Sequence, residues 1–403
     1  MLTYDDIVKA SRVLNGLVHR TPLDHSTTFS MLSNCNVYLK MECFQKTGSF
    51  KVRGAYVKLH SLSNEQRARG VVTASAGNHA QGLAYASKML NIKCTVVMPM
   101  NASPAKVSAT RAYGADVIFH GMLYDNAWEK AMQIAESEKK VFVHAFDDEH
   151  VIAGQGTIGL EILEDLPKID AIITPVGGGG LASGLAIAVK SKRPDVKIIG
   201  VQSKAFSAVK ESLTRNSIVE VSNGSTIADG ISVKRPGELT LAIMKEYMDD
   251  IVLVEDEQIV KAMFLLMERA KVVVEPAGAV GLAYLLNDGN GRLTGKNVVV
   301  VLSGGNVDMF LLGQIVHKGL VSIGRLVRIS VELVDRPGEF KRVVDTIAAS
   351  RVNIVDVIHD RLGSDVSVGN AKVILSLEAE NREHVERLMR MLRSQGIVYE
   401  IAS

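Results

Sequence analysis

The chain has 403 residues, of which 47% are hydrophobic and 22% are charged, and its formal net charge is +2. This length allows two or three domains with ample core, and the composition is ordinary for a globular soluble protein. The small net charge, with no Lys/Arg-rich run interleaved with aromatic residues, argues against nucleic-acid binding. No apolar run is long enough to span a membrane.

The cysteines and the N-terminus bear on the compartment. Cys35, Cys43 and Cys94 form no Cys-x-x-Cys pair, and three thiols cannot all pair within one chain, which indicates a reducing compartment. Residues 1–6 are acidic and lead into an amphipathic pattern, so they are not typical of a signal peptide. We therefore expect a cytoplasmic protein.

The stretch Ser49–Gly54 is the first with a chemical signature. Residues 55–62 carry apolar side chains at helical spacing, so Lys51 is predicted to lie in the first turn of a helix. A helix N-terminus carries partial positive charge, which would help to keep the lysine amine neutral, and a neutral amine can form a Schiff base. The alternative is a solvated lysine at a helix start.

From about residue 70, short β-rich runs alternate with helical patterns such as 181–192 and 257–271. The runs have little polar alternation, which predicts a parallel sheet covered by helices on both faces. Ligands bind at the carboxyl ends of the strands in such sheets, so the turns there are the candidate sites. The predicted strands are Val71–Thr73, Thr95–Met98, Asp116–Phe119, Val141–Val143, Ala171–Thr174, Lys197–Val201, Ile251–Val254 and Val298–Leu302.

The turn from Ser75 to His79 lies between a predicted strand and the helix pattern 81–90. Its small residues expose backbone amides at a helix N-terminus, while Ser75 and Asn78 add side-chain hydrogen bonds, a combination that suits a carboxylate. Either side chain could instead be a plain helix cap. A lone histidine such as His79 is more often structural than catalytic.

A run of four glycines ends another predicted strand and opens a helix. Amides at such a turn close on an anion, and the helix dipole adds to the attraction, so the run is predicted to bind a phosphate. A dinucleotide is the rival ligand, because the run and Ala182 match G-x-G-x-x-A. That site needs an acid at the end of the next strand, where Gln202 stands, and we therefore favour a single phosphate. The run, with the leucine after it, is Gly177, Gly178, Gly179, Gly180 and Leu181.

Two other glycine-rich stretches are less specific. Gly154, Gly156 and Gly159 repeat the dinucleotide spacing, but they are predicted to follow a loop rather than a strand, and they lack the acid too. The turn Ser303–Asn306 ends a very apolar strand, and a buried turn would explain it without any ligand.

Taken together and in this order, the motifs closely resemble those of the threonine/serine dehydratase group of pyridoxal-phosphate enzymes, which have the tryptophan-synthase-β type of fold. The resemblance covers nearly everything from residue 5 to 320. It implies a two-lobed α/β catalytic domain over 1–320, built on parallel sheets, with a small lobe of roughly 46–145 inserted in the larger lobe. The motifs are Ser49–Gly54, Ser75–His79, Gly177–Leu181, Glu275-Pro276 and Ser303–Asn306.

The resemblance also implies a role for each motif. Lys51 would hold pyridoxal 5'-phosphate as a Schiff base and, once released, would remove the substrate's Cα proton. Ser75, Asn78 and His79 would receive the substrate carboxylate. A hydroxyl at the pyridine nitrogen does not favour a protonated ring, which suits β-elimination and disfavours transamination. The cofactor-binding residues would be Phe50 against the ring, Asn78 at the ring hydroxyl, Gly177 to Gly180 with Leu181 at the phosphate, Glu275, and Ser303 at the pyridine nitrogen.

Serine racemases resemble the chain throughout but differ from it at two positions. They place a serine where Ala76 stands, so two-base racemisation would lack its partner here. Their divalent-cation site uses a glutamate where Gln202 stands, and Phe206 and Ala208 offer no replacement carboxylates. We therefore expect no metal site of that type, while a monovalent ion held by carbonyls stays open.

From about residue 327 the predicted order becomes strand, helix, strand, strand, helix, strand. The turn Asp335–Gly338, before the helix pattern 340–350, resembles that of an ACT domain, a ferredoxin-like α+β module that binds amino acids. This implies a regulatory domain over 327–403 after a helical connector at 309–324. Gly338 would border an effector, isoleucine or valine, with Pro337 at the first helical position. A silent dimerisation module is the alternative.

The sequence thus predicts an L-threonine dehydratase (ammonia-lyase), which eliminates threonine to 2-oxobutanoate and ammonia, also acts on serine and responds to an amino acid. The alternatives are an L-serine dehydratase or serine racemase-like enzyme and, from another class, an NAD-linked oxidoreductase, which would leave Lys51 without a role. We expect a homo-oligomer, dimer or tetramer, without nucleic-acid or membrane partners. Isoleucine synthesis and threonine breakdown both stay open.

Overall fold

A computed structural model describes residues 2–222, 224–288 and 291–402. The chain divides into two compact units, residues 1–308 and 309–403. The first unit contains every motif of the predicted catalytic domain, and the second begins with the helix that was expected to be a connector. Within the described ranges, none of the helices combines the length and the apolar character needed to cross a bilayer.

The first unit alternates strands and helices over most of its length, as predicted. Its helices, within the described residues, are α1 (Tyr4–Leu14), α2 (Thr27–Ser33), α3 (Lys51–His60), α4 (Asn64–Arg69), α5 (Asn78–Met89), α6 (Pro104–Ala112), α7 (Tyr124–Ser137), α8 (Glu149–Asp165), α9 (Gly180–Lys190), α10 (Ala208–Arg215), α11 (Glu238–Tyr247), α12 (Asp256–Leu265) and α13 (Pro276–Leu286). A π-helical turn, Leu266–Ala270, follows α12.

The strands of this unit form two sheets. In the part of the unit that is described, they are β1 (Leu23–His25), β2 (Asn36–Lys40), β3 (Val71–Ala74), β4 (Cys94–Met98), β5 (Asp116–Phe119), β6 (Val141–Phe142), β7 (Ala171–Pro175), β8 (Lys197–Ser203), β9 (Asp250–Val254) and β10 (Asn297–Val301). The larger sheet has the order β1-β2-β10-β7-β8-β9, and the smaller has the order β5-β4-β3-β6.

Both sheets are parallel, apart from β1, which pairs antiparallel with β2. All residues of β3, β4 and β7 are buried, because parallel sheets are covered by helices on both faces. This confirms the predicted fold class. The smaller sheet lies inside the stretch predicted to form the small lobe, while the limits of lobes and domains stay predictions.

The glycines with dinucleotide-like spacing, Gly154, Gly156 and Gly159, lie inside α8. They had been predicted to follow a loop. A Cβ on Gly154 would lie 2.6 Å from Gly54 Cα of α3, and one on Gly156 would lie 2.7 Å from Gly184 O of α9. The glycines therefore let α8 pack closely against the helices on either side of it. Close helix packing, rather than a nucleotide, explains the spacing.

The second unit has the predicted order of elements. In the described part of the chain it comprises α14 (Met309–Ser322), β11 (Leu326–Val334), α15 (Glu339–Ala349), β12 (Asn353–Asp360), β13 (Asn370–Glu378), α16 (Arg382–Ser394) and β14 (Tyr399–Ile401). The antiparallel sheet has the order β12-β13-β11-β14, and the apolar faces of β11, β13, α15 and α16 form its core. The ferredoxin-like prediction is confirmed.

One detail of this unit was predicted wrongly. Pro337 does not occupy the first helical position, because α15 begins at Glu339 and Gly338 is its N-terminal cap. Gly338 has a φ of +98°, a left-handed conformation that favours glycine. The chain therefore turns at Gly338 before the helix starts, and Pro337 belongs to that turn.

Candidate functional site

The lysine motif lies against the turn that follows β10. Lys51 is the first residue of α3 and Phe50 is its cap, as predicted from the helical spacing after the motif. The Phe50 amide donates to Ser303 O at 3.2 Å, and Ser49 forms an isolated antiparallel bridge with Gly304. Two stretches that are far apart in the sequence are thus hydrogen-bonded to each other beside Lys51.

The amine of Lys51 is held by a backbone carbonyl. Its Nζ donates to Ala145 O at 2.9 Å. Burial lowers the pKa of Lys51 to about 8, although the charge of Glu275 acts in the opposite direction. The sequence attributed a neutral amine to the helix N-terminus, whereas burial is the main cause. At neutral pH the fraction of neutral amine is therefore far larger than for an exposed lysine, whose pKa is about 10.4.

Three polar side chains form a chain of hydrogen bonds next to the lysine motif. Asn78 Nδ2, at the start of α5, donates to Glu275 Oε1 at 2.7 Å, and Asn306 Nδ2 donates to Asn78 Oδ1 at 2.8 Å. Asn306 also donates to Thr47 O at 2.7 Å. Asn78 and Glu275 were predicted site residues. Asn306 had been quoted only as part of a turn, and its position after the apolar strand was the signal for it.

Glu275 is 5% exposed and precedes α13. Burial raises the pKa of its carboxyl to about 7, and the charge of Asp229 raises it further, against the hydrogen bond from Asn78. Gly304 lies so close that a Cβ there would be 2.4 Å from Glu275 Oε1. The carboxyl therefore sits among the motif turns as a group that titrates near neutral pH.

Ser75 and His79 have structural partners in this structure. Ser75 Oγ accepts from the amides of Gly77 and Ala80 at 3.2 and 3.3 Å, although the N-terminal cap of α5 is Gly77 and not Ser75 or Asn78. His79 Nε2 lies 3.2 Å from Val143 O. Burial, and after it the charge of Lys51, lowers the pKa of His79 to about 3, so this ring is neutral at physiological pH. Their predicted role with a substrate carboxylate stays a prediction.

The four glycines connect β7 to α9, as predicted. The first N–H groups of a helix have no acceptor within the helix, so this turn presents amides to an anion. A Cβ on Gly178 would lie 2.4 Å from the Phe146 ring, and one on Gly180 would lie 2.9 Å from Phe146 O. Gly179 has a φ of +98°. Close contacts and backbone conformation thus both require glycine here, while Leu181 is buried in the core.

The segment His144–Asp148 joins the lysine to the glycine turn, and sequence reasoning missed it. Ala145 O accepts from Lys51, and Phe146 packs against Gly178 and Gly180. Asp147 accepts from the amides of Glu238 and Thr240, at 3.1 and 3.0 Å, and Asp148 caps α8. A carbonyl contact leaves no side-chain signal, which is why no motif pointed to this segment.

The residues present fit pyridoxal phosphate. The fit rests on the Lys51 amine, whose pKa is lowered, and on the N-terminus of α9, where the glycines leave room only for backbone. The segment His144–Asp148 connects the two. The fit rests also on buried polar atoms that have no hydrogen-bond partner among the described residues. These atoms include Thr47 Oγ1 and Ser49 Oγ, in the segment just before Lys51, and His79 Nδ1, in the first turn of α5.

A cavity in the C-terminal unit has a volume of about 250 Å³. It is lined by residues of the predicted effector turn and of the strands beside it, including Asp335, Arg336, Gly338, His359 and Arg361. A Cβ on Gly338 would meet no atom within 4 Å. A side chain there would therefore strain the left-handed backbone but would clash with no protein atom.

Comparison with known proteins places both units in families. The pyridoxal-phosphate dependent enzyme family matches residues 14–304, and the ACT domain matches residues 325–402. An L-threonine ammonia-lyase of Thermotoga maritima is 48% identical over 401 residues, which is 100% of this chain and 99% of that protein.

Two solved structures are similar to most of this chain. Maize serine racemase has a TM-score of 0.75 and 36% identity, covering 80% of this chain and 98% of its own. The processed form of threonine deaminase isoform 2 from Solanum lycopersicum has a TM-score of 0.74 and 37% identity, covering 78% of this chain and 86% of its own. The part of this chain that each structure leaves uncovered is of the size of the ACT domain.

Proposed function

The chain belongs to the family of pyridoxal-phosphate dependent enzymes, and from that premise we propose that it is an L-threonine ammonia-lyase with an amino-acid-binding ACT domain. The observation that carries the proposal is the Lys51 amine, whose pKa is lowered to about 8 and which is held 2.9 Å from Ala145 O. The name of the full-length relative from Thermotoga maritima supports threonine as substrate.

Pyridoxal 5'-phosphate, when bound, would supply the electron sink that makes the substrate's Cα proton acidic. Lys51 would hold the cofactor and, when free, take that proton, because a neutral amine is a competent base near neutral pH. The amides of Gly177–Gly180 would bind the phosphate, and Ser303 would meet the ring nitrogen. Asn78 would hold the ring hydroxyl, with Asn306 and Glu275 fixing the orientation of its side chain.

The substrate carboxylate would lie at the start of α5. Its helix N-terminus attracts anions, and Asn78 belongs to the first turn. Ser75 would have to turn its hydroxyl away from the amides of Gly77 and Ala80, from which it now accepts, to reach a ligand. Serine shares the β-hydroxyl of threonine, so it is the natural second substrate for the same residues.

The remaining proposals concern the effector, the cellular compartment and the oligomeric state. The cavity beside Gly338 would take an aliphatic amino acid, isoleucine or valine, through the charged groups that line it. We further propose a cytoplasmic homo-oligomer, dimer or tetramer, in keeping with three buried free cysteines.

The test compares Lys51→Ala with Lys46→Ala, a lysine five residues upstream in the same segment. Lys51→Ala should lose threonine elimination by several orders of magnitude, because both the anchor and the base disappear, and should lack a cofactor attached after borohydride reduction. Lys46→Ala should keep both. Turnover by Lys51→Ala within tenfold of the parent would overturn the proposal, and a parent that prefers serine to threonine would move it to serine ammonia-lyase.

A further inference from the structure

A cluster of buried charges lies directly behind the lysine motif. The side chains of Arg53 and Glu42 are 1% and 0% exposed, that of Lys40 is 0% exposed and that of Glu161 is 14% exposed. Two positive and two negative groups are thus removed from water together. Burying charges is costly unless each is paired and hydrogen-bonded, so the contacts of the cluster define where its members must lie.

Arg53 is the centre of this cluster. Its guanidinium binds Glu42 through Nε and Nη2 at 2.9 and 2.8 Å, and binds Glu161 through Nη1 and Nη2 at 2.6 and 3.0 Å. It donates also to Thr157 Oγ1 and to His19 O, both at 3.2 Å. Every N–H of the fork therefore has an acceptor, and two carboxylates hold it from different directions.

The two carboxylates belong to different parts of the site. Glu161 is on α8, the helix that follows the segment His144–Asp148, and Lys40 Nζ holds it at 2.6 Å. Glu42 lies just after β2, and the next amide, that of Cys43, donates to Leu302 O at 3.0 Å, one residue before Ser303. Arg53 thus ties the first turn of α3 to the structures that carry Ala145 and Ser303.

Lys51 and Arg53 are two residues apart on one helical turn. At 3.6 residues per turn their side chains leave the helix about 200° apart, so Lys51 faces the site and Arg53 faces away from it. Because the contacts of Arg53 hold one side of this helical turn, the turn cannot rotate about the helix axis, and the direction of Lys51 on the opposite side is fixed. Gly54 N adds a second fixed point by donating to Gln155 Oε1 of α8 at 3.2 Å.

Stability alone does not account for such a cluster. A buried ion pair gains little over well-packed apolar side chains of the same volume, because desolvation offsets the attraction, whereas a bidentate guanidinium fixes geometry. The planar guanidinium of Arg53 binds Glu42 and Glu161 through two nitrogens each, so its orientation is fixed by both carboxylates. This is the property that a reactive amine needs, since a displacement of about 1 Å at a reacting group can lower the rate about a hundredfold.

We propose that Arg53 is the positioning residue for Lys51, holding the first turn of α3 in the rotation that keeps the amine at Ala145 O. The inference rests on the proposed function of Lys51 as the cofactor lysine. Arg53 touches neither substrate nor cofactor and acts through the helix turn that it shares with Lys51.

The test uses three variants of the full-length protein. Arg53→Lys keeps the charge and loses the fork, while Glu161→Gln, at a partly accessible carboxylate, weakens one half of the contact. Leu59→Ala is the matched control, because Leu59 is fully buried in the same helix but lies beyond the cluster, toward the end of α3. It loosens α3 without touching Arg53.

The first readout needs no cofactor. Acetylation of the Lys51 amine in the cofactor-free protein, followed by mass spectrometry across pH, reports the pKa of Lys51 in its surroundings of Glu275, His79 and His144. Arg53→Lys should move the midpoint from about 8 toward that of an exposed lysine, and Glu161→Gln should move it less. Leu59→Ala should leave it in place while lowering the melting temperature.

The second readout is kinetic. For the loaded enzyme, Arg53→Lys should lower kcat for threonine at least about tenfold with KM changed less than about threefold, because the misplaced amine, not substrate binding, limits the rate. Equal effects of Arg53→Lys and Leu59→Ala on both readouts would overturn the positioning role. A parent whose Lys51 takes no cofactor would contradict the proposed function instead, and the acetylation midpoints would still decide the role of Arg53.

Discussion

Asn78 and Glu275 join the N-termini of two helices through a single hydrogen bond, from Asn78 Nδ2 to Glu275 Oε1 at 2.7 Å. One side chain opens α5 and the other precedes α13. The contact brings a carboxyl whose pKa is raised to about 7 next to the predicted cofactor residue Asn78. The protonation of Glu275 therefore changes the charge of the site in the pH range in which the enzyme would work.

Glu275 should make the stability of the cofactor-free catalytic unit depend on pH. Its pKa is about 7 in the folded state against an ordinary value of 4.5, so the folded state binds the proton more tightly. The contribution is fully present below pH 4.5 and is lost as the pH rises through 7. At about 1.4 kcal/mol for each unit of pKa, the loss is on the order of 3 kcal/mol.

Glu275→Gln removes the titration and keeps an oxygen that can accept from Asn78. The expected result is a flatter profile of melting temperature between pH 4.5 and 7 than in the parent, measured by calorimetry on the cofactor-free protein. Glu255→Gln, at an exposed glutamate paired with Lys204 on the surface, is the control and should follow the parent. A profile for Glu275→Gln as steep as that of the parent would show that Glu275 titrates normally.

Much of this site was predictable because its chemistry sits in motifs at strand ends. Lys51 and the glycine turn were placed correctly, since helical spacing and glycine at a strand-to-helix turn are local signals. The strands β1 and β2 were missed. β1 has three residues and pairs antiparallel at the sheet edge, and β2 precedes the alternation of strands and helices from which the sheet was inferred.

The missed parts depend on contacts between distant segments. Glu42 and Glu161 look ordinary in the sequence, where charged residues are usually solvated, and only the fold brings both onto Arg53. The carbonyl of Ala145 carries no side-chain signal. The placement of Pro337 at the first helical position was wrong, because the chain turns at the left-handed Gly338 before α15 begins at Glu339.

Ser303→Asp should redirect the reaction. An aspartate next to the pyridine nitrogen would favour its protonated form and strengthen the electron sink, so we expect slower elimination and more conversion of cofactor to pyridoxamine phosphate. Chromatography of the cofactor after turnover measures the partition. Ser303→Ala, which is smaller and neutral at the same buried position, is the matched control. If both variants partition alike, Ser303 does not lie beside the ring nitrogen.

Ala76→Ser should introduce a trace of serine racemisation. A hydroxyl at this position would supply the second acid/base group that two-base racemisation needs. D-Serine formed from L-serine, measured by chiral chromatography, should rise from undetectable to measurable, with threonine elimination little changed. Ala76→Gly controls for the change in size. D-Serine production by the parent itself would contradict the role assigned to position 76.

An amino acid should bind the cavity beside Gly338 and change the response of the enzyme to threonine. Calorimetric titration with isoleucine, valine, threonine and serine should find one that binds outside the active site. Threonine should shift the affinity for that effector by the same factor by which the effector shifts the affinity for threonine. A chain that ends at Asp308, the limit of the first unit, should still eliminate but ignore the effector.

Gly338→Ala tests whether the effector binds in this cavity or elsewhere in the second unit. Gly338 has a φ of +98° and Gly396 has a φ of +68°, and a Cβ on either meets no atom within 4 Å. Both substitutions should therefore cost a similar backbone strain of about 1–2 kcal/mol. Because Gly338 lines the cavity and Gly396 does not, Gly338→Ala should weaken effector binding and Gly396→Ala should not. Equal affinities in the two variants would place the effector elsewhere, and no binding to the parent would leave the ACT domain an architectural module.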